Sequence, residues 1–356
     1  MAAPAATSAG APAAAVAMTV LSHHLRQERA AHPAPTEALA ALLTEIALAG
    51  KVVSREVARA VLTGRLGYTG EQNVQGEPVK QLDRWANAAM VEVLHRSGLA
   101  CTLVSEEMAH AVHLDDACGP GRFVVCFDPV DGSGNTDING IVGTIFGVRA
   151  TRPDGGAAGH RADALGPGTA QLAAGYLMYG PATVLVYTVG HGVHGLTLDT
   201  TTGEYVLTHP DLRMPSRGRT YAVNEANWHR WTRGPRQFIE SLRAEPRPSY
   251  SARYVGSLVA DVHRILLEGG IYLYPAEADG KRAGGKLRLL YEAAPLGLVV
   301  EQAGGRASTG TGRILDVVAT SHHQRVPLYI GSVEEVSRAE ACCREDADKE
   351  SQPWQR

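Results

Sequence analysis

The chain has 356 residues, 34 basic and 37 acidic side chains, a formal net charge of -3 and 44% hydrophobic content; this calls for a folded protein with one or two cores. Such a balance leaves no electrostatic footprint for nucleic acid and no basic stretch drawn to a membrane, and no apolar run reaches the roughly 20 residues that span a bilayer. A small-molecule partner and a cytoplasmic location are the expectation, and five cysteines without a CxxC pair, Cys101, Cys118, Cys126, Cys342 and Cys343, suit a reduced set rather than a disulfide scaffold.

Residues 1–20 read as a disordered, alanine-rich tail without the charged start of a secretory signal. Thr36 is placed to cap a helix whose stripe of Leu39, Leu42, Leu43 and Ile46 runs toward Gly64, and a second helix is predicted from Val79 to Ser97, ended by Gly98. Between them, "GYTGEQNVQGEPVKQLD" reads as a surface loop. From Leu99 the texture changes to short apolar runs bounded by Gly and Pro: "ACTLVSEE", "RFVVCFDP", "VGTIFGV", "LAAGYLMYG", "TVLVYTV" and "VHGLTLD" predict strands of one sheet. The glycine-rich stretch Thr151 to Gly168 reads as an inserted loop. A second unit of helices around Arg236–Leu242, Gly256–Leu267 and Tyr291–Ala303, with strands "IYLYP" and "PLYIG" and a last helix to about Cys342, follows a boundary near Ser216–Thr220. Together these elements predict an α/β (α+β) layered fold of two domains with mixed sheets, 21–217 and 218–343, and a flexible tail over 344–356.

The chemistry is concentrated in "FDPVDGSGNTD". Asp128 and Asp131 flank Pro129, whose fixed φ and missing N–H end the preceding strand. Asp, Pro, Gly and Ser are also ordinary turn residues, so this motif carries moderate weight alone. Its weight rises because Glu106 and Glu107 end another apolar strand. Four carboxylates at the ends of neighbouring strands would repel one another without a cation among them, and an all-oxygen set suits Mg²⁺ or Mn²⁺ rather than zinc or copper. Gly132, Ser133 and Gly134 then offer bare backbone N–H groups that can cradle a phosphate. In "GKLRLLYE", Lys286 and Arg288 share a strand face and Glu292 can join the metal ligands; Arg253 is a further phosphate candidate, and Tyr254 and Tyr274 either face a ligand or fill core.

In this order, "SEE", "VVCFDPVDGS", "VGTIFGV", "LAAGYLMYG", "SARYVGSLVADVHR", "GGIYLYP" and "GKLRLLYE" resemble class I fructose-1,6-bisphosphatase, of the lithium-sensitive sugar and inositol phosphatases, from about Leu21 to Ser337. The resemblance implies an αβαβα sandwich and hydrolysis of the 1-phosphate of fructose 1,6-bisphosphate, with sedoheptulose 1,7-bisphosphate as a further substrate of some bacterial members. An inositol or nucleotide phosphatase of the same superfamily is the alternative, and a non-catalytic metabolite sensor is a third reading.

The resemblance further implies metal ligands at Glu106, Glu107, Asp128, Asp131, Glu292 and the Val130 carbonyl. It puts the 1-phosphate on amides around Gly132 and Ser133 near Arg288, with Gly134 standing where the family has a second serine. Asn224, Tyr254, Tyr274 and Lys286 would hold the distal phosphate, Arg253 would reach in from a neighbouring subunit of a homotetramer, and backbone near Leu258 would touch the sugar. Asp83 would help Glu107 activate water, and the loop from Asn73 to Glu77 would close over the metals. The family's AMP site is degraded: Pro35-Thr36-Glu37-Ala38-Leu39, Arg122-Phe123 and Ala150 stand where it has T-G-E-L-T, Lys-Tyr and Arg.

Overall fold

The computed structural model describes residues 18–32, 36–73, 76–114, 121–151, 163–246, 248–278 and 280–351. The alanine-rich stretch 1–17, most of the glycine-rich insertion after Thr151 and residues 352–356 lie outside the described residues.

Helix α1 (Leu21–Ala31) buries only Leu21, His24 and Leu25, a stripe too thin to announce itself in the sequence. In α2 (Glu37–Val57) the Thr36 hydroxyl accepts the Leu39 N–H at 3.2 Å, the expected cap, and the chain continues past Val57 as turns rather than as helix to Gly64. The expected loop before α3 (Gln81–Ser97) is instead an antiparallel ribbon of β1 (Tyr68–Gln72) and β2 (Pro78–Lys80). Gly98, at φ 64°, closes α3, a left-handed cap that glycine adopts without cost.

Next come β3 (Ala100–Ser105), β4 (Val112–His113), β5 (Phe123–Asp131), β6 (Val142–Ala150), the short β7 (Gly166–Pro167), β8 (Gln171–Tyr179), β9 (Thr183–Thr188), β10 (His194–Asp199) and β11 (Glu204–His209). All but β7 form one sheet in the order β11-β10-β9-β8-β6-β5-β3-β4. Within it β3 and β5 are parallel and the other neighbours antiparallel. The second half comprises β12 (Thr220–Ala222), α4 (Arg233–Ala244), β13 (Ser251–Ala252), α5 (Leu258–Glu268), β14 (Ile271–Tyr274), β15 (Leu287–Arg288), α6 (Ala294–Gln302), β16 (Arg306–Ser308), β17 (Val318–Ala319), β18 (Arg325–Val326), β19 (Leu328–Gly331) and α7 (Val333–Ser351). Its sheet runs β13-β12-β14-β19-β16, and β17 pairs with β7, tying the two halves together.

Strand alternation shows why the layers stack. Val125 and Phe127 of β5 pack with Leu42, Ile46 and Met90 of the first helices, whereas Val124 and Cys126 face the other way, toward Val262 of α5 and Leu296 of α6. Tyr272 and Tyr274 of β14 close that central layer from the second sheet, and Ile271 and Leu273 turn outward to Phe238 of α4 and Val336 of α7. The result is helix, sheet, helix, sheet, helix. That is the αβαβα sandwich the resemblance implies.

Two expectations need correction. Helix α7 does not fray at Arg344: it continues to Ser351, and Asp346 Oδ2 accepts the Gly234 N–H at 2.7 Å, which anchors it to the start of α4. Cys101, in buried β3, is disulfide-bonded, so the cysteines are not a wholly reduced set, although Cys126, Cys342 and Cys343 are free. Among the described residues, no helix is long and apolar enough to cross a membrane.

Candidate active site

Parallel pairing of β3 and β5 brings two strand ends to one edge, and the Glu106 N–H bonds to Phe127 O at 3.2 Å. Glu106 and Glu107 therefore stand beside Asp128. In a regular strand, residues three apart point to opposite faces, yet Asp128 and Asp131 share one. The cause is a β-bulge: Asp128 pairs with Ile145 and Asp131 with Gly143, so three steps on β5 match two on β6. Pro129, with no N–H to lose, is suited to that irregularity, and its carbonyl accepts the Thr144 hydroxyl at 2.7 Å.

Gly143 has a second role. A Cβ there would lie 2.7 Å from the Val259 side chain, so only glycine lets the start of α5 approach β6. Asp131 then receives the Ser257 hydroxyl at 2.7 Å and the Leu258 and Val259 N–H groups at 3.1 and 2.8 Å. Gly132 follows at φ 75°, where a Cβ would sit 2.5 Å from Ser257 Cβ. The glycine that geometry demands is thus Gly132; a Cβ at Gly134 would meet nothing within 4 Å, so a serine side chain has room there.

Glu292 lies in a π-helical turn, Leu289–Ala293, that feeds α6, a distortion common at functional sites. Its carboxylate takes the Arg288 N–H at 2.5 Å. The Arg288 guanidinium reaches Glu106 at 2.9 Å and Glu77 at 2.5 Å, and Arg325 holds the other Glu77 oxygen at 3.2 Å. Burial works against the charge of Glu77, but Arg288 outweighs it and holds the carboxyl below its usual range. The ribbon tip is therefore latched over the site by ion pairs between residues remote in sequence.

One cavity of about 280 Å³ brings together seven carboxylates (Glu77, Asp83, Glu106, Glu107, Asp128, Asp131 and Glu292) and two cations, Lys286 and Arg288. Asp128, Asp131 and Glu292 bring one oxygen each within 4.8 Å of one another, and all are buried. Burial, then neighbouring carboxylates, push Asp128 well above the usual range and Glu107 to about 8. Glu292 rises to about 8 by burial despite Arg288. Asp83 rises to about 7 by burial, against hydrogen bonds from Ser133 and Lys80, and its buried Oδ1 has no partner. Hard oxygen donors crowded without enough positive charge fit a divalent cation.

Of the residues singled out from sequence, Asp83, Glu106, Glu107, Asp128, Val130, Asp131, Gly132, Ser133, Gly134, Tyr254, Leu258, Tyr274, Lys286, Arg288 and Glu292 line this cavity. Asn224 does not: its side-chain oxygen accepts the Ala226 N–H at 3.2 Å, capping a short helical turn. Neither does Arg253, which is exposed and donates to Ala252 O at 3.0 Å. The Leu258 N–H is engaged by Asp131. Sequence reasoning missed Ser257 and Asp261, whose carboxylate takes the Val255 and Gly256 N–H groups at 2.9 and 3.2 Å and so shapes the turn after Tyr254; Ser257 is a favoured helix-capping residue type, and its hydroxyl accepts the Ala260 N–H at 3.3 Å, which was the available signal.

An acidic centre opening onto a glycine turn, with Arg288 beside the acids and Lys286 in the same cavity, is the layout of metal-assisted phosphoryl chemistry. Family comparison agrees. Residues 18–210 match the fructose-1-6-bisphosphatase N-terminal domain and residues 214–344 its C-terminal domain. The class 1 fructose-1,6-bisphosphatase of Nostoc punctiforme is 47% identical over 327 residues, 91% of each chain; that of Oleidesulfovibrio alaskensis is 46% identical over 332 residues, 91% of this chain and 98% of the relative. The crystal structure of Leishmania major fructose-1,6-bisphosphatase in holo form superposes with a TM-score of 0.85 at 39% identity, covering 92% of this chain and 99% of that one. The chain belongs to the fructose-1,6-bisphosphatase family.

Proposed function

We propose that the protein is a Mg²⁺-dependent enzyme, also served by Mn²⁺, that hydrolyses the 1-phosphate of fructose 1,6-bisphosphate to fructose 6-phosphate and phosphate in the cytoplasm. The observation that carries this reading is the single cavity in which seven carboxylates meet a glycine turn and the Lys286–Tyr274 wall, in a chain of this family. Glu106, Glu107, Asp128, Asp131, Glu292 and the Val130 carbonyl would hold the cations, which would supply charge neutralisation and Lewis acidity toward phosphoryl oxygen and water. Asp83 and Glu107, both raised toward neutrality by burial, position the attacking water and take its proton. The Gly132 and Ser133 amides and Arg288 meet the charge that builds on the phosphoryl group during in-line displacement.

At the far end, Tyr254, Tyr274 and Lys286 bind the 6-phosphate. Lys286 Nζ lies 5.3 Å from the Tyr274 ring centre, and the Asn227 amide donates to the Tyr274 hydroxyl at 3.4 Å, which orients it. Sedoheptulose 1,7-bisphosphate keeps the same reacting end and is included in the proposal. So is a homotetramer in which Arg253 reaches a neighbouring subunit. In a phosphate-release assay, fructose bisphosphate is expected to be turned over with Mg²⁺ and not in chelator, inositol phosphate at least ~100-fold more slowly, and the enzyme to sediment as a tetramer. Chelator-insensitive turnover, or faster release from inositol phosphate, would overturn the reading.

AMP is expected not to inhibit at millimolar concentration. Thr36, Arg122, Phe123 and Ala150 do converge on a second cavity of about 220 Å³, but Leu39, Leu172 and Val189 share its walls, and a nucleotide phosphate needs amide and hydroxyl donors there. Half-inhibition at micromolar AMP would refute this.

A further inference from the structure

Apart from the residues that line the two cavities, α1 carries His24 and Glu28, one helical turn apart, and β10 presents His194 against them. One nitrogen or oxygen from each lies within 4.8 Å of the others. His194 Nε2 and Glu28 Oε2 are 3.6 Å apart, too far for a hydrogen bond, and the His24 and His194 ring centres are 4.4 Å apart. The decisive feature is that His24 Nε2, Glu28 Oε2 and His194 Nε2 are all sealed from solvent without a hydrogen-bond partner; the His24 and His194 residues are 5% and 7% exposed. Three unpartnered polar atoms converging on one point are costly unless something occupies it.

We propose that His24, Glu28 and His194 form a structural binding site for a borderline divalent cation of the zinc class, separate from the catalytic centre, that staples α1 to the sheet. Two imidazoles and one carboxylate are zinc-class donors, unlike the all-oxygen set of the active site. Zinc bonds of about 2.0–2.2 Å set tetrahedral donors roughly 3.3–3.6 Å apart, a spacing that His194 and Glu28 already show. A water fills the fourth position, and the Tyr187 hydroxyl, itself buried without a partner in a ring that lies 6.1 and 5.9 Å from those of His24 and His194, is placed to bond it. Coordination through His194 Nε2 puts the ring proton on Nδ1, so the 3.3 Å contact from the Asp211 N–H is given up. What the cation supplies is attachment. With just Leu21 and Leu25 as buried apolar residues, α1 is otherwise held by a Thr19–Leu207 backbone bond, the Val20–Val206 bridge, an Arg29–Glu37 ion pair at 3.6 Å and the stacking of His32 at its end on His191.

The test is equilibrium dialysis of chelator-stripped protein against micromolar Zn²⁺ with millimolar Mg²⁺ present, followed by metal analysis. Wild type is expected to retain one more zinc per chain than His24→Gln/His194→Gln, and Asp131→Ala to retain the wild-type excess, which separates this site from the catalytic one. Zinc is also expected to slow tryptic cleavage after Arg26 and Arg29 in wild type but not in the double variant. If that variant does not fold, Glu28→Gln, which preserves volume, serves in its place with at least ten-fold weaker zinc binding expected. Equal zinc content in wild type and the folded variant, or equal zinc protection from trypsin, would overturn the proposal.

Discussion

Asp131→Ala is expected to lower kcat by on the order of 10³-fold or more, with the protein still folded. The reason is double. Asp131 offers one of three buried oxygens gathered within 4.8 Å, so its loss removes a cation ligand at the reacting phosphate. It is also the acceptor for Ser257, Leu258 and Val259 at the start of α5, and each such bond to a charged acceptor contributes about 1.5–3 kcal/mol. Release of α5 would move Tyr254 and the Asp261-shaped turn that leads to it, so KM for the bisphosphate should rise as well. Ser257→Ala separates the two roles. It leaves the metal oxygens in place and removes one donor, so it should cost roughly 10–100-fold in kcat, less than Asp131→Ala. Steady-state kinetics with a melting curve for each variant decide the matter: a folded Asp131→Ala enzyme that keeps a tenth of wild-type kcat would show that Asp131 does not hold the metal.

What was legible in the sequence was whatever lies close along the chain. Asp128, Pro129, Asp131 and Gly132 are nearly consecutive, so their chemistry could be read before their geometry, and Glu106-Glu107 ended a recognisable strand. The bulge that turns Asp128 and Asp131 to one face could not be read, because it depends on how β6 pairs with β5. The same holds for Gly132: its neighbour Ser257 is 125 positions away in sequence, and the weight placed on Gly134 came from comparing motifs rather than from any contact. Glu77 is a similar case, held by Arg288 and Arg325 across more than 200 residues.

Elements were missed where amphipathicity is weak. Helix α1 shows only two apolar residues inward, and β11 has Tyr205 as its one buried side chain, so neither carries a clear period. The end of α7 looked like a charged, fraying tail because its anchor, Asp346 on the Gly234 N–H, is a polar contact to another helix. Asn224 shows a local contact that the motif does not announce. Its side-chain oxygen caps its own turn by accepting the Ala226 N–H, as Asn commonly does.

Without divalent metal, the protein is expected to lose stability as pH rises from about 5 to 8.5, and Mg²⁺ to restore it most at the alkaline end. Folded-state values are raised here, the reverse of the usual carboxylate: Asp83 to about 7, Glu107 and Glu292 to about 8, and Asp128 well above its ordinary range. Burial is the first cause in each, and repulsion from the other carboxylates adds to it. The unfolded chain releases these protons near pH 4, so between pH 4 and 8 the folded state binds more protons and unfolding becomes easier with each increment of pH. Above the folded values all the carboxylates are ionised in both states and the slope ends. Because the groups are coupled their shifts do not add, and a total of about 4 kcal/mol corresponds to roughly 5–10 °C in Tm. Cation binding demands the ionised forms, so Mg²⁺ competes with protons and stabilises more at pH 8.5 than at pH 5.5. Melting curves of chelator-treated protein across this range test the idea. In Glu107→Gln/Glu292→Gln, which keeps side-chain volume and removes two titrating groups, the slope should flatten; a wild-type Tm that holds level or rises toward pH 8.5 without metal would mean that the acidic cluster carries no such strain.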